Sequence, residues 1–315
     1  MRCVDLLHQA GIPEAVLQFL PASGSLVGQH LLTDPRVAGV VFTGSTEIAQ
    51  FINRQLAQHH QAIIPLIAET GGQNVMIADS SAFLEQLVQD AITSAFNSAG
   101  QRCSALRVLF VQKEIADKAI VLLIGAMREL SLGSPGVYQT DIGPIIDQVA
   151  LIPLNTHLET MRKQGKLLYQ NSLDENMQQG SFFPPTLLEI SSLSQLIQEV
   201  FGAVLHLIRY SASELDQVID AVNATGYGLT LGIHSRIDAN IKAIQQGVKV
   251  GNVYVNRNMI GAVVGVQPFG GMGLSGTGPK AGGPDYLRRF SIEQTVTTNT
   301  AAIGGNTSLL SKDLR

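Results

Sequence analysis

Along the first 80 residues the hydrophobic positions switch between two spacings. Residues 4–10 carry apolar side chains at helical intervals, 37–42 form an apolar run, 46–59 return to helical spacing, and 63–68 are apolar again. The order strand, helix, strand predicts a parallel sheet with crossover helices. Only two or three strands are found there, whereas a doubly wound nucleotide-binding sheet usually has about five or six. The pattern therefore predicts an incomplete dinucleotide-binding domain over residues 1–70, with its early strands missing.

From Asn74 the same grammar repeats on a larger scale. A strand is predicted over 75–78 and a helix over 82–97, with Phe83, Leu87, Ala91, Ile92 and Ala95 as its apolar stripe and Gly100 as its stop. Strand 106–111, helices 114–130 and 213–224, and strands 229–234 and 248–256 continue an α/β domain that extends to about residue 290. Glycine and proline crowd residues 261–284, the mark of a long shaped loop, and such loops are usually functional. The tail, 295–310, alternates weakly and reads as an edge strand for pairing with another chain, so 291–315 is assigned to oligomerisation.

A length of 315 residues suits two domains, and 45% apolar against 15% charged residues favours a compact protein over a disordered one. The formal charge of −4, without any basic run, gives no attraction to nucleic acid or anionic lipid. No segment reaches the roughly 20 apolar residues needed to span a bilayer, and the first residues do not lead into a signal-like stretch. Cys3 and Cys103 stand far apart with no metal-ligand spacing, and the seven histidines form no ligand pattern, so no metal site is expected. Together these features suggest a cytoplasmic protein with a small-molecule partner.

Four places carry candidate chemistry. In VVFTGST at 40–46, Thr43, Gly44, Ser45 and Thr46 stand where a strand turns into a helix, which makes either an anion site or ordinary helix capping. Gly24 and Gly28 do not form a GxGxxG fingerprint and read more simply as turn residues. Glu69 ends an apolar run and precedes Thr70, Gly71 and Gly72, so it is a general base or a solvated loop carboxylate. Cys103, in SAGQRCSA at 98–105, follows a helix end beside Arg102, a setting that lowers a thiol pKa; a small buried apolar residue is the alternative.

Taken together, an ExGG motif at 69–72 and a GQxC motif 34 residues after Glu69 resemble the aldehyde dehydrogenase superfamily. FTGST, EVFG at 199–202 and PFGGMGLSG at 268–276 follow in the order of that family. GTGPKAGGP at 276–284 and GNVYVNRNMIGAVVGVQPFGG at 251–271 are most similar to the 1-pyrroline-5-carboxylate dehydrogenase module of bacterial bifunctional proline-utilisation proteins. The resemblance covers nearly all of the chain but only the later part of that module. Ala203 departs from the proline that the family usually places after EVFG.

The resemblance implies an aldehyde dehydrogenase-like α/β fold and NAD-dependent oxidation of glutamate semialdehyde to glutamate, with Cys103 as nucleophile and Glu69 as base. By the same resemblance Ser45 faces the NAD pyrophosphate with Thr43 and Gly44 beside it, and Ile48 packs near the adenine. Thr70, Gly71, Gly24 and Gly28 line the cofactor. Glu199 bonds the nicotinamide ribose, and Phe201 supports the nicotinamide ring. Ser104, Gly282, Gly283 and Phe290 hold the substrate. The choice of NAD over NADP is inherited from the family. A homodimer or larger homo-oligomer is implied, with a proline dehydrogenase domain elsewhere in the full protein. The family's lysine for the adenine ribose and its oxyanion asparagine are expected before Met1, so this chain alone is expected to be inactive. The alternatives are another aldehyde dehydrogenase, a thiol hydrolase, or a catalytically silent fragment or assembly module.

Overall fold

The computed structural model describes residues 1–58 and 62–299. It opens with α1 (Arg2–Gln9), α2 (Gly24–Leu31), β1 (Val40–Thr43), α3 (Thr46–Ala57) and β2 (Leu66–Glu69). β1 and β2 form a separate parallel pair in which Thr43 stands opposite Glu69. Residue 59, the expected end of α3, lies outside the described residues, and the helix is already capped at Gln58. Gly24 and Gly28 are not turn residues: both belong to α2, which Ser23 caps by accepting from the Leu26 amide.

The next elements are β3 (Val75–Ala78), α4 (Leu84–Phe96), β4 (Val108–Gln112), α5 (Lys113–Arg128), α6 (Gln148–Gln164), β5 (Lys166–Gln170), β6 (Thr186–Glu189) and β7 (Val204–Tyr210). They are followed by α7 (Leu215–Ala224), β8 (Tyr227–Gly228), β9 (Thr230–His234), α8 (Asp238–Gly247), β10 (Asn252–Val255) and β11 (Met272–Gly273). Seven strands make one sheet in the order β10-β9-β3-β4-β7-β6-β5, parallel except for β5. β3, β4 and β9 are buried along their whole length, which is why their sequences are continuous apolar runs. α4 and α5 pack on each other and on β7. β8 and β11 form a small antiparallel pair.

The apolar pattern is silent on α6, β5, β6 and β7. α6 contains Pro153, which breaks the helical reading, and β7 places His206 and Arg209 among its apolar residues. Two details of α4 also differ from expectation. Phe83 is its N-cap and is 60% exposed, whereas Leu87, Ala91, Ile92 and Ala95 of the expected stripe pack on the core, joined by Val88 and Phe96. Nor does a glycine alone stop the helix: Ser98, Ala99 and Gly100 all take left-handed backbone angles, with φ of 57°, 55° and 68°. Residues 291–299 are exposed and form no strand, and 300–310 of the expected edge strand lie outside the described residues.

Candidate active site

The parallel pair β1 and β2 ends on one side of a cleft of about 1050 Å³, and the large sheet begins on the other. From the pair come Thr43 at the end of β1 with Gly44 and Ser45 after it, and Glu69 at the end of β2 with Thr70 and Gly71 after it. The opposite wall is made from the segments that lead into β4, β7 and β9: Cys103 and Ser104, Glu199 and Phe201, and Tyr227. Most of the residues singled out in the sequence, Thr46 among them, thus meet in one place. Ile48, Gly24, Gly28, Gly282, Gly283 and Phe290 do not line the cleft. Ile48 is half exposed on α3, and Gly28 packs towards Phe51. Phe290 stacks edge-on against Tyr286 on a surface turn.

The left-handed turn after α4 swings the chain back towards the sheet, and Asn74 holds it there. Its Nδ2 donates to the carbonyls of Cys103 (2.6 Å) and Ala105 (2.9 Å), while its Oδ1 accepts from the Thr230 amide at 3.2 Å. Gly100 is glycine for a steric reason as well as a torsional one, because a Cβ there would stand 2.1 Å from the Gly202 carbonyl oxygen. The Gln101 side chain is structural: it donates to the Ser98 and Pro144 carbonyls and accepts from the Ile146 amide.

Arg102 does not activate the thiol as its position in sequence suggested, since its guanidinium turns back to Ser98 Oγ at 3.0 Å. Burial pushes the Cys103 thiol above the ordinary thiol range, and the Glu199 carboxylate adds to this. The Ser104 and Cys103 amides pull the other way, and Glu69 raises it further. At rest the group is a protonated thiol, and a base has to take its proton. Glu69 is suited to that. Burial raises its carboxyl to about 7, partly offset by the Gly271 amide and the Lys280 charge. No side chain among the described residues bonds either of its oxygens. A carboxyl that ionises near neutral pH in the same cleft as a thiol can serve as a general base.

Arg107, which the motifs did not single out, lies behind the large-sheet wall. It is 1% exposed, donates to the Gly100 and Arg102 carbonyls at 2.7 and 2.9 Å, bonds Glu199 Oε1 at 3.1 Å, and lies 5.2 Å from the centre of the Phe201 ring. It ties the nucleophile segment to the EVFG segment. Burial first, then Arg107, sets the Glu199 carboxyl, and burial wins, so it stands above the usual carboxylate range. The Arg107 carbonyl in turn accepts from His206 Nδ1 at 2.9 Å. Burial holds His206 neutral, down at about 3, so its Nε2 is a lone pair and accepts the Nε2–H of His157, 2.8 Å away in the cleft wall. Nothing in apolar spacing marks Arg107 or His206; both read as interruptions of strands. Ala203 leaves the turn well fixed, with its carbonyl accepting from the Thr186 amide at 2.9 Å.

The cleft also suits an anionic dinucleotide. α3 is a 12-residue helix whose N-terminus opens into it, with Ser45 capping the Ile48 amide at 3.4 Å, so capping and an anion-facing helix end coexist. Glu47, in the same first turn, brings a competing negative charge. Gly71 lets Glu199 lie flat against the backbone, since a Cβ there would overlap its carboxylate oxygen. Glu199 can accept from a sugar hydroxyl and Phe201, 45% exposed, can cover a flat ring. Among the described residues no cluster of three or more ligands suited to a metal ion occurs, and no helix is long and apolar enough to cross a membrane.

Comparison with known proteins agrees with this geometry. The family model described as "Aldehyde dehydrogenase family" matches residues 1–296. Bifunctional protein PutA from Klebsiella aerogenes is 55% identical over 295 residues, which are 91% of this chain but 22% of that protein. A 1-pyrroline-5-carboxylate dehydrogenase from Geobacillus kaustophilus is 36% identical over 93% of this chain and 57% of its own length. Among solved structures, Bradyrhizobium japonicum proline utilization A superposes with a TM-score of 0.92 at 55% identity, covering 96% of this chain and 31% of that one. A Thermus 1-pyrroline-5-carboxylate dehydrogenase with bound NAD superposes with a TM-score of 0.86 at 32% identity, covering 92% of this chain and 56% of that one. The chain therefore spans well under two thirds of the proteins it matches. With a family model matched over residues 1–296 and the motif residues gathered in one cleft, the chain belongs to the aldehyde dehydrogenase family.

Proposed function

We propose that this chain carries the thiol-and-base half of an NAD-dependent dehydrogenase that oxidises glutamate semialdehyde to glutamate. The observation that carries the reading is the meeting of Cys103, Glu69 and Glu199 in one cleft at the end of α3. Glu69 takes the Cys103 proton, and the thiolate adds to the aldehyde carbon to give a thiohemiacetal. The Cys103 amide lies close enough to the thiol to favour negative charge there and serves as one oxyanion donor. A bound NAD would supply the hydride acceptor for this carbon, leaving the acyl group on Cys103 as a thioester. Glu69, once it has passed the thiol proton on to solvent, takes a proton from water as the water attacks the thioester, and returns it to the departing thiolate, so that the carboxylic acid leaves and ionises and the thiol is restored. Ser45 with the α3 N-terminus faces the pyrophosphate, Glu199 the ribose and Phe201 the nicotinamide ring.

The substrate preference rests on the identity to the two groups of relatives and on one local feature. Phe269, in the cleft wall, exchanges backbone hydrogen bonds of 3.0 and 2.8 Å with Ala281, so Gly282 and Gly283 follow directly from a bridge to that wall. Gly282, at φ 71°, needs glycine, and two adjacent backbone amides without side chains suit a carboxylate. Ser104, which does line the cleft, adds a hydroxyl. The division at residue 70, the cytoplasmic setting, self-association through the tail and a proline dehydrogenase domain in the same polypeptide belong to the same proposal.

The test uses the natural polypeptide that contains these residues, with whatever precedes and follows them in its gene. NADH formation on glutamate semialdehyde is expected to vanish in Cys103→Ala and to persist in Cys3→Ala. Ser104→Ala is expected to lower kcat/KM for glutamate semialdehyde about 10- to 100-fold more than for propanal, the usual loss for a bond to a charged group. Turnover in Cys103→Ala overturns the mechanism, and equal losses on both aldehydes overturn the role of Ser104.

A further inference from the structure

Glu69 ends β2 with a half-buried carboxylate that finds no side-chain hydrogen-bond partner among the described residues, with the Gly271 amide as its backbone donor. A carboxylate in that position is costly to ionise unless a positive charge compensates it. Its own strand, Leu66–Glu69, offers none. Across the cleft stand Cys103, an uncharged thiol at rest, and Glu199, whose partner Arg107 is spent on it. The remaining neighbour is the loop that follows PFGG, and it contains Lys280.

Gly270 shows how close the two approach. A Cβ on Gly270 would lie 2.6 Å from Glu69 Oε1 and 3.2 Å from Lys280 Cα, so both residues border the same point. The Lys280 ammonium is not free to wander. It donates to the Gly251 carbonyl and reaches Asn252 Oδ1 at 3.4 Å, and that same oxygen accepts the Gly270 amide at 3.3 Å, while Asn252 Nδ2 donates to the Pro268 carbonyl. A single Asn252 side chain therefore fixes both the lysine and the glycine that the carboxylate touches. Lys280 and Glu69 form no contact ion pair, because the ammonium is committed to Gly251 and Asn252 at the start of β10. Their influence is through space and mutual: each favours the charged form of the other.

We propose that Lys280 is a positioning residue for Glu69: its ammonium, anchored to Gly251 and Asn252, supplies the positive charge that keeps the Glu69 carboxylate available in its proton-accepting form. The inference rests on the reading of Glu69 as the base of the aldehyde oxidation. It gives that reading a reason for a lysine in the glycine-rich loop, where a neutral residue would shape the turn equally well. Lys280 itself does not line the cleft, so its effect reaches the thiol through the base.

The experiment reads Glu69 directly, without substrate or cofactor. In the 315-residue chain labelled with 13C at the glutamate carboxyls, the resonance lost in Glu69→Gln identifies Glu69, and its pH titration is followed in wild type, Lys280→Met and Lys280→Arg. Lys280→Met is expected to make Glu69 hold its proton roughly tenfold more tightly, and Lys280→Arg to restore the wild-type midpoint. An unchanged midpoint in folded Lys280→Met overturns the proposal, as does a shift that Lys280→Arg fails to reverse, since that would be loss of loop structure and not of charge. If circular dichroism shows Lys280→Met unfolded, the reciprocal measurement decides. With lysines dimethylated by 13C-formaldehyde, the Lys280 resonance is expected to titrate at lower pH in Glu69→Gln than in wild type, and equal midpoints overturn the proposal. Because these midpoints need no turnover, a shift seen in a protein that oxidises no aldehyde would leave the charge pair standing and remove the proposed function instead.

Discussion

At the scale of single residues, the site is a balance between burial and the few charges left to oppose it. Glu69 is the clearest case, with a folded-state pKa of about 7 against an ordinary 4.5. The folded state holds that proton more tightly than the unfolded chain does. The stability this contributes is complete below pH 4.5 and is lost as the pH rises through about 7. Glu69→Gln removes the titration. Its stability relative to wild type is therefore expected to improve by about 1 to 2 kcal/mol between pH 5 and pH 8, a figure reduced for solvent screening of a half-exposed group. Urea unfolding at the two pH values checks this; any fixed offset from the new amide is common to both, and a constant difference refutes the prediction. Arg107 shows the opposite case, a buried cation retained because four groups use it at once. The sequence marked Glu69 and Cys103 because their neighbours form motifs. It could not mark Arg107, whose meaning lies in partners up to 95 positions away.

Among the elements, the segment joining α4 to β4 decides where the nucleophile stands. Two non-glycine residues in left-handed geometry cost on the order of 1–2 kcal/mol each, and the bonds from Asn74 and Arg107 offset that strain. Gly100 is the point at which the segment has no room. Gly100→Ala is expected to lose about 2 to 4 kcal/mol, because it adds a clash with the Gly202 carbonyl to the strain of φ 68°. Gly11→Ala, with φ 99° but nothing within 4 Å of the added carbon, is expected to cost only about 1 kcal/mol. Equal losses in urea unfolding would show that torsion alone, and not the approach of Gly202, requires glycine at 100. The helix stop itself was legible in the sequence. The left-handed Ser98 and Ala99 were not, because neither residue type announces that conformation.

For the whole molecule, the large sheet and the smaller β1–β2 region differ sharply in how much they bury. β3, β4 and β9 have no exposed position, whereas α1 and α2 have no buried residue. Opening free energies follow buried contacts, so amides of α1 and α2 are expected to exchange with solvent at least about 100-fold faster than those of β3 and β4. Hydrogen exchange read by mass spectrometry tests this, and similar protection in both regions would refute it. The cleft lies at the junction of these two regions, so loosening of the first would be felt by Ser45 before Cys103.

What the sequence determined by itself was whatever depends on neighbours in the chain. The buried strands are apolar runs, α4 has a helical stripe, Ser45 and its neighbours sit at a helix start, and the ordered motifs identify the family. What only the tertiary structure decided depends on residues brought together from far apart. It took Phe83 out of the core and tied the Arg102 guanidinium to Ser98. It put Gly24 and Gly28 on a helix, and left Gly282, Gly283 and Phe290 outside the cleft lining. It also raised the Cys103 thiol where the local sequence suggested the reverse. The reason is physical: spacing along the chain encodes which face of an element is apolar, but desolvation and charge are set by every group within a few ångströms, and most of those come from other elements.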